Sequence, residues 1–176
     1  DQIPIDGEDT AIIESPVRRR LVLAVMSLAL MMVMSAVSGL NVALPGIAQD
    51  TGASQTDLQW IVDAYTLVFA GLLLPAGALG DRFGRRLVLL SGLIIFGLAA
   101  LLATLVTEPS QLIALRAVMG VGAALVMPTT LSVITTSFPA EERGRAVGLW
   151  VGIAGGGAVL GLLGSGLLLE WFDWNS

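Results

Sequence analysis

The sequence predicts an all-α membrane protein, a polytopic bundle of five spanning helices, on three observations. Hydrophobic residues make up 55% of its 176 residues, and the mean hydropathy is +0.85. Only 13% are charged, against roughly 25% in a soluble domain. Five apolar runs follow one another, each near the roughly 20 residues that cross a bilayer core. A transmembrane stretch must satisfy its own backbone groups, so each run is a helix or part of a closed barrel. The Ala, Leu, Met and Gly content of these long runs suits helices, since barrel strands alternate in short segments.

Residues 1–20 are expected to form an acidic, mobile tail that ends in a basic anchor. Asp1, Asp6, Glu8, Asp9 and Glu14 precede Arg18, Arg19 and Arg20, and no hydrophobic period joins them. The membrane domain then occupies 21–176, with spans at about Leu21–Leu44, Leu58–Leu79, Leu87–Val106, Leu112–Ser137 and Ala146–Leu169. The first run is too long for a cleavable leader, and more runs follow it. The sequence begins at Asp1 and stops after a polar, aromatic stretch at Ser176. This reads as a fragment of a larger bundle.

Arginine placement sets the expected orientation. All nine basic residues are arginine. Arg18–Arg20 precede the first span, Arg82, Arg85 and Arg86 lie between the second and third, and Arg143 and Arg145 lie between the fourth and fifth. The connections Gly46–Asp57 and Thr107–Gln111 carry none. The positive-inside rule puts the N-terminus in the cytoplasm of what is expected to be a bacterial inner membrane. Trp60, Trp171 and Trp174 then fall near the outer interface and Trp150 near the inner one, as aromatic belts do.

Cysteine and histidine are absent. That excludes disulfides, thiolate chemistry, most zinc sites and any His-dependent triad. No metal, cofactor or nucleic-acid partner is expected. Gly164-Ser165-Gly166 has no His to activate the serine, so an intramembrane hydrolase is disfavoured. Gly120-Val-Gly122 and Gly155-Gly-Gly157 sit inside apolar runs without a preceding strand or a P-loop Lys, so they are not nucleotide loops.

The most specific signal is Gly77-Ala-Leu-Gly80-Asp81-Arg82-Phe-Gly84-Arg85-Arg86 between the second and third spans. Gly84 permits a tight turn, and Asp81 and the arginines can pair with each other and with helix ends. This segment resembles the G-x-L-a-D-r-x-G-r-[KR] loop of major facilitator superfamily transporters. Leu112-x-x-x-Arg116-x-x-Met119-Gly120-x-Gly122-Ala-Ala124 is similar to that family's fourth-span motif, with Met119 in place of the usual Gln. Gly148, Gly157, Gly161 and Gly166 match the fifth-span antiporter motif, although Leu162 replaces its Pro and Ser165 a Gly. Asn41-Val-Ala-Leu-Pro45 and Trp60-Ile-Val-Asp63-Ala-Tyr65 resemble the EmrB/QacA-type fourteen-span drug–proton branch, with Ala36 where that branch commonly has Asp.

The resemblance implies the first five spans of a six-helix N-terminal half. A sixth span and the missing C-terminal half would complete a cavity for a small amphipathic substrate exchanged for protons. It also implies that the 77–86 loop is a conformational latch against the other half. Read without the family, the i+4 glycines of the fifth span, such as Gly148, Gly152 and Gly156, serve close helix approach as well as they serve switching.

Asp63 and Arg116 are charges inside the hydrophobic layer, each about 8–9 Å deep at the helical rise. A buried ion is expensive, so each should face a cavity or a partner. The expectation is that they lie near enough to influence each other. Asp63 is the candidate proton site, and the permanently charged Arg116 is its modulator. Met26, Met31, Met32 and Met34 are more readily core or lipid-facing filler than a drug pocket. Two other readings remain open: a family relative that exports another metabolite without protons, and a non-transporting membrane scaffold.

Overall fold

The computed structural model describes residues 15–169, which form five α-helices and, among the described residues, no strand. They are α1 (Pro16–Thr51), α2 (Gln55–Phe83), α3 (Arg85–Ala103), α4 (Pro109–Ser137) and α5 (Ala140–Leu169). All five are long and apolar enough to cross a membrane. The expected acidic tail at 1–14, and Trp171 and Trp174, lie outside the described residues.

Each boundary has a local cause. Pro16 opens α1, where its missing N–H costs no intrahelical bond. Gly52, with φ 67°, closes it in the left-handed conformation. Ser54 and Asp57 form a reciprocal capping box on α2. Ser54 Oγ accepts from the Asp57 amide at 3.2 Å, and Asp57 Oδ2 accepts from the Ser54 amide at 2.9 Å. Only Gly84 separates α2 from α3, and its φ of 90° is one that L side chains rarely adopt. Pro109 starts α4. Phe138, forced out of the helical region by the following Pro139, ends it in an extended conformation. Glu141 and Glu142 then occupy the first turn of α5, where carboxylates favour the positive helix end.

The helices run further than the apolar runs do. Arg18–Arg20, expected in the tail, belong to the first turns of α1, because long basic stems can lie along a helix while their heads reach water. Pro45, expected to end the first span, lies inside α1. It only deprives the Asn41 carbonyl of its helical donor, near the end of the membrane layer. Hence the connection expected at 46–57 shrinks to residues 52–54. In the other direction, α3 stops at Ala103, short of Val106, with Thr104 and Leu105 donating back to Leu101 and Leu102 in a closing turn.

Helix α4 is the hub. It packs against α2 and α3, while α1 packs against α5 and also touches α4. The main core joins Leu30 and Val33 of α1, Tyr65 of α2, Phe96 of α3, Met119, Val126 and Ile134 of α4, and Trp150 of α5. A smaller cluster of Ile47, Ile61 and Leu112 closes the other end. Trp150, expected at an interface, is therefore a core residue, 3% exposed, with its indole N–H unpartnered among the described residues. Trp60 stays half exposed, as an interfacial anchor would. Exposed Leu28, Leu74, Leu98 and Leu167 give the bundle the apolar exterior that a lipid environment requires.

Candidate functional site

Arg116 is buried on α4, with 3% of its surface exposed. Its Nε donates to the Ile61 carbonyl at 3.1 Å, and Nη1 approaches Met119 Sδ at 3.9 Å. The guanidinium carbon sits 4.6 Å from the Tyr65 ring centroid, a cation–π arrangement. Tyr65 in turn stacks on Phe69, with centroids 5.9 Å apart. Ile61 and Tyr65 are one helical turn apart on α2, so a single face of that helix supplies both the carbonyl and the ring. The carbonyl has a second lone pair and can accept from Arg116 alongside its helical donor. Gly120, on the next turn of α4, makes the approach possible. A Cβ there would lie 2.7 Å from the Tyr65 carbonyl oxygen. Arg116 and Met119 also line a cavity of about 310 Å³ with Ser35, Gly39, Leu112 and Ser165.

Asp63 is elsewhere. It is two residues from both Ile61 and Tyr65, about 200° around the helix, and so on the opposite side of α2. It lines a separate groove of about 670 Å³ with Leu44, Pro45, Ala48 and Gln59, between α1 and the first turns of α2. Among the described residues the ion pairs are Arg19–Glu142 and Arg85–Asp81, so the expected proximity of Asp63 and Arg116 does not take the form of a salt bridge. The fold brings Arg116 together with Tyr65 and Ile61, partners that the sequence reading had not named. The helical wheel carried the signal, since 61 and 65 share a face that excludes 63.

The 77–86 segment splits into packing and surface parts. Gly77 and Gly80 face α4, with Pro128 and Thr129 as the nearest atoms that a Cβ would meet. Arg85 reaches back to the C-terminal part of α4, donating to Thr136 Oγ1 at 2.8 Å and lying 3.5 Å from the Ser132 carbonyl. It also pairs with Asp81 at 3.5 Å. The Asp81 side chain is 71% exposed, and Arg82 and Arg86 are exposed. Arg82 lies over the Phe83 ring at 5.4 Å. Arg19 bonds Glu142 at 3.0 Å across the starts of α1 and α5. These contacts bring the starts of α1, α3 and α5 and the ends of α2 and α4 to one arginine-rich end.

The fifth-helix glycines also divide. Gly157 packs on Met31, and Gly161 on the backbone of Ser35. The Ser35 hydroxyl donates to the Gly157 carbonyl at 2.7 Å and staples α1 to α5. Among the described residues, nothing lies within 4 Å of a would-be Cβ at Gly148 or Gly166. Ser165 lies against Gly39 of α1. Of the four methionines of α1, none lines the Arg116 cavity. Met26 is buried, Met31 and Met34 are partly buried, and Met32 is exposed.

A bundle of five membrane-long helices with a buried arginine and a glycine-bounded charged link defines a polytopic membrane protein. The model of the Major Facilitator Superfamily matches residues 26–176, and the chain belongs to that family. It is 46% identical over 136 residues to the puromycin resistance protein pur8 of Streptomyces alboniger, covering 77% of this chain and 27% of that protein. It is 40% identical over 163 residues to the multidrug efflux pump LfrA of Mycolicibacterium smegmatis, covering 92% and 32%. The chain thus spans about a third or less of the curated relatives it matches. Its fold is similar to that of a bacterial homologue of the human lysosomal transporter Spinster, solved inward-facing and unoccupied. That match has a TM-score of 0.72 at 22% identity and covers 92% of this chain and 38% of that one.

Proposed function

We propose that this chain is the N-terminal part of a proton-coupled exporter of amphipathic drugs. It would work with a sixth span and a second, C-terminal bundle, and substrate would bind near the midplane between the halves. The observation that carries the reading is Arg116, a buried cation held to α2 by a carbonyl and a ring. A charge kept inside the membrane layer at such cost marks a functional site by default. The family membership and the relatives named for puromycin resistance and multidrug efflux agree with it.

On this reading the arginine-rich end is cytoplasmic, as the positive-inside rule requires, and the membrane is the bacterial inner membrane. Asp63 is the exchanged-proton site, open to its groove. Arg116 remains charged and acts by fixing the position of α2. Gly77, Gly80, Asp81, Arg82, Gly84, Arg85 and Arg86 form the latch. Gly77, Gly80 and Arg85 hold the link to α4, and exposed Asp81, Arg82 and Arg86 engage the other half. Gly157 and Gly161 let α5 slide on α1, while Gly148 and Gly166 are left to face the second bundle or lipid.

The test is drug export by the full-length protein in cells with and without a protonophore, alongside Asp63→Asn. Export that collapses in both conditions supports the reading. One observation favours a second reading, export of another metabolite without proton antiport: Leu162 leaves α5 without the motif's proline. Export that survives both the protonophore and Asp63→Asn would select it.

A further inference from the structure

At the arginine-rich end, a cavity of about 320 Å³ opens between the first turns of α1 and α5 and the α4–α5 link. Arg19 and Arg20 of α1 and Arg145 of α5 line it, against one carboxylate, Glu142. Glu142 is committed to Arg19 at 3.0 Å. The Arg19 Nε is nevertheless buried without an acceptor among the described residues. Arg20 and Arg145 have no ion pair among the described residues. Both helices present their N-terminal, positive dipole ends here. Among the described residues the charge balance therefore calls for an anion with several acceptor oxygens, which a phosphate group supplies and a guanidinium fork suits.

The rest of the lining is apolar and includes Leu23, Phe138 and Leu149. Leu149 is 49% exposed and Leu21, beside Arg20, is 60% exposed. A free inorganic anion has no use for such a wall, whereas an acyl chain descending from a headgroup does. Basic pockets between helices at the membrane surface hold acidic headgroups for this combined reason. We propose that this cavity binds the phosphate of an acidic phospholipid headgroup, clasped by Arg19, Arg20 and Arg145, with the acyl chains lying along Leu23 and Leu149. A lipid held there would bridge α1 and α5 at the end where the Arg19–Glu142 pair is their polar tie. The proposal rests on the membrane reading of the helices, but not on what the protein transports.

The test is thermal unfolding of the full-length protein in neutral detergent, with phosphatidylglycerol, phosphatidylcholine or inorganic phosphate added. Phosphatidylglycerol is expected to raise the melting temperature by about 2–4 °C, and the other two to leave it unchanged. The Arg20→Gln/Arg145→Gln variant, altered at two exposed positions, is expected to unfold at the unaltered temperature without lipid and to lose the lipid shift. Should that variant fail to fold, native mass spectrometry of the unaltered protein reads the same point. Selective retention of one phosphatidylglycerol over phosphatidylcholine supports the site, and equal retention of both overturns it. A shift reproduced by inorganic phosphate would make this a free-anion site, and a phosphatidylglycerol shift of equal size in the variant would make it a bulk lipid effect. Either result, or no shift at all, overturns the proposal.

Discussion

Helices α4 and α1 are both long and apolar, yet 50% of α4's spanning stretch is buried against 28% of α1's. The difference follows from their neighbours. α4 is enclosed by α2 on one side and α3 on another, whereas α1 leans chiefly on α5. Both contacts depend on glycines. Gly120 admits the backbone of α2 and Gly122 that of α3, just as Gly157 and Gly161 admit α1. Their polar ties differ, however. The α2–α4 contact contains a buried arginine stacked on a tyrosine. The α1–α5 contact has one hydroxyl bond in its middle and one ion pair at its end. These ties lead us to expect the α2–α3–α4 group to be the stiffer part of the bundle and the α1–α5 pair the part that shifts more readily.

The largest stability effect expected from breaking this comparison comes from Gly120→Ala. The new methyl group would press on the Tyr65 carbonyl and Val68, and overpacking of this kind costs about 1–3 kcal/mol. Gly161→Ala meets the Ser35 backbone more closely still, but a pair that can spread should absorb more of the strain and lose less. Gly148→Ala and Gly166→Ala, with open space around them, should be neutral or gain up to about 1 kcal/mol from helix propensity. Thermal unfolding of the four variants in detergent ranks them. A greater loss at Gly161 than at Gly120 would reverse the assignment of fixed and mobile halves.

Next comes Gly84→Ala, which forces an L residue to φ 90° and should cost about 1–2 kcal/mol. Its readout is the same melting curve, together with protease sensitivity of the α2–α3 link. Ser35→Ala removes the bond to the Gly157 carbonyl and should cost about 0.6 kcal/mol, the usual value for such bonds between membrane helices. Amide exchange along α5 should rise with it. Smaller still is Asp81→Asn, which removes an exposed i,i+4 pair worth about 0.3–0.5 kcal/mol. If the latch reading is right, export falls sharply in this variant while its melting curve barely moves.

The existence and order of the five helices were legible because hydropathy reports which residues lie in the apolar layer. Their ends were not, because a helix continues past that layer wherever its residues permit. Arg18–Arg20 and Ala140–Arg145 are polar and helical, and Pro45 is a break in sequence but not in the chain's path. The charged link was legible in its turn, since only glycine suits φ 90° at position 84. Depth along the axis singled out Asp63 and Arg116 together, but depth carries no azimuth. Arg116 meets Tyr65 and Ile61 while Asp63 faces α1, a distinction visible only once α2 is seen as a wheel against α4. Likewise the fifth-helix motif marked Gly148 and Gly166 alongside Gly157 and Gly161, but only the latter two touch α1. Which glycines meet a neighbour depends on the helix's rotation, and a motif does not encode it.

The most direct test of the central claim is the resistance conferred by the full-length protein carrying Arg116→Met, compared with the unaltered protein at equal membrane abundance. If the proposed export function holds, drug resistance is lost while the protein remains folded, because methionine fills the space without offering a donor to Ile61 or a cation to Tyr65. Full resistance with Arg116→Met would show that the buried arginine is only structural and would overturn the proposed function.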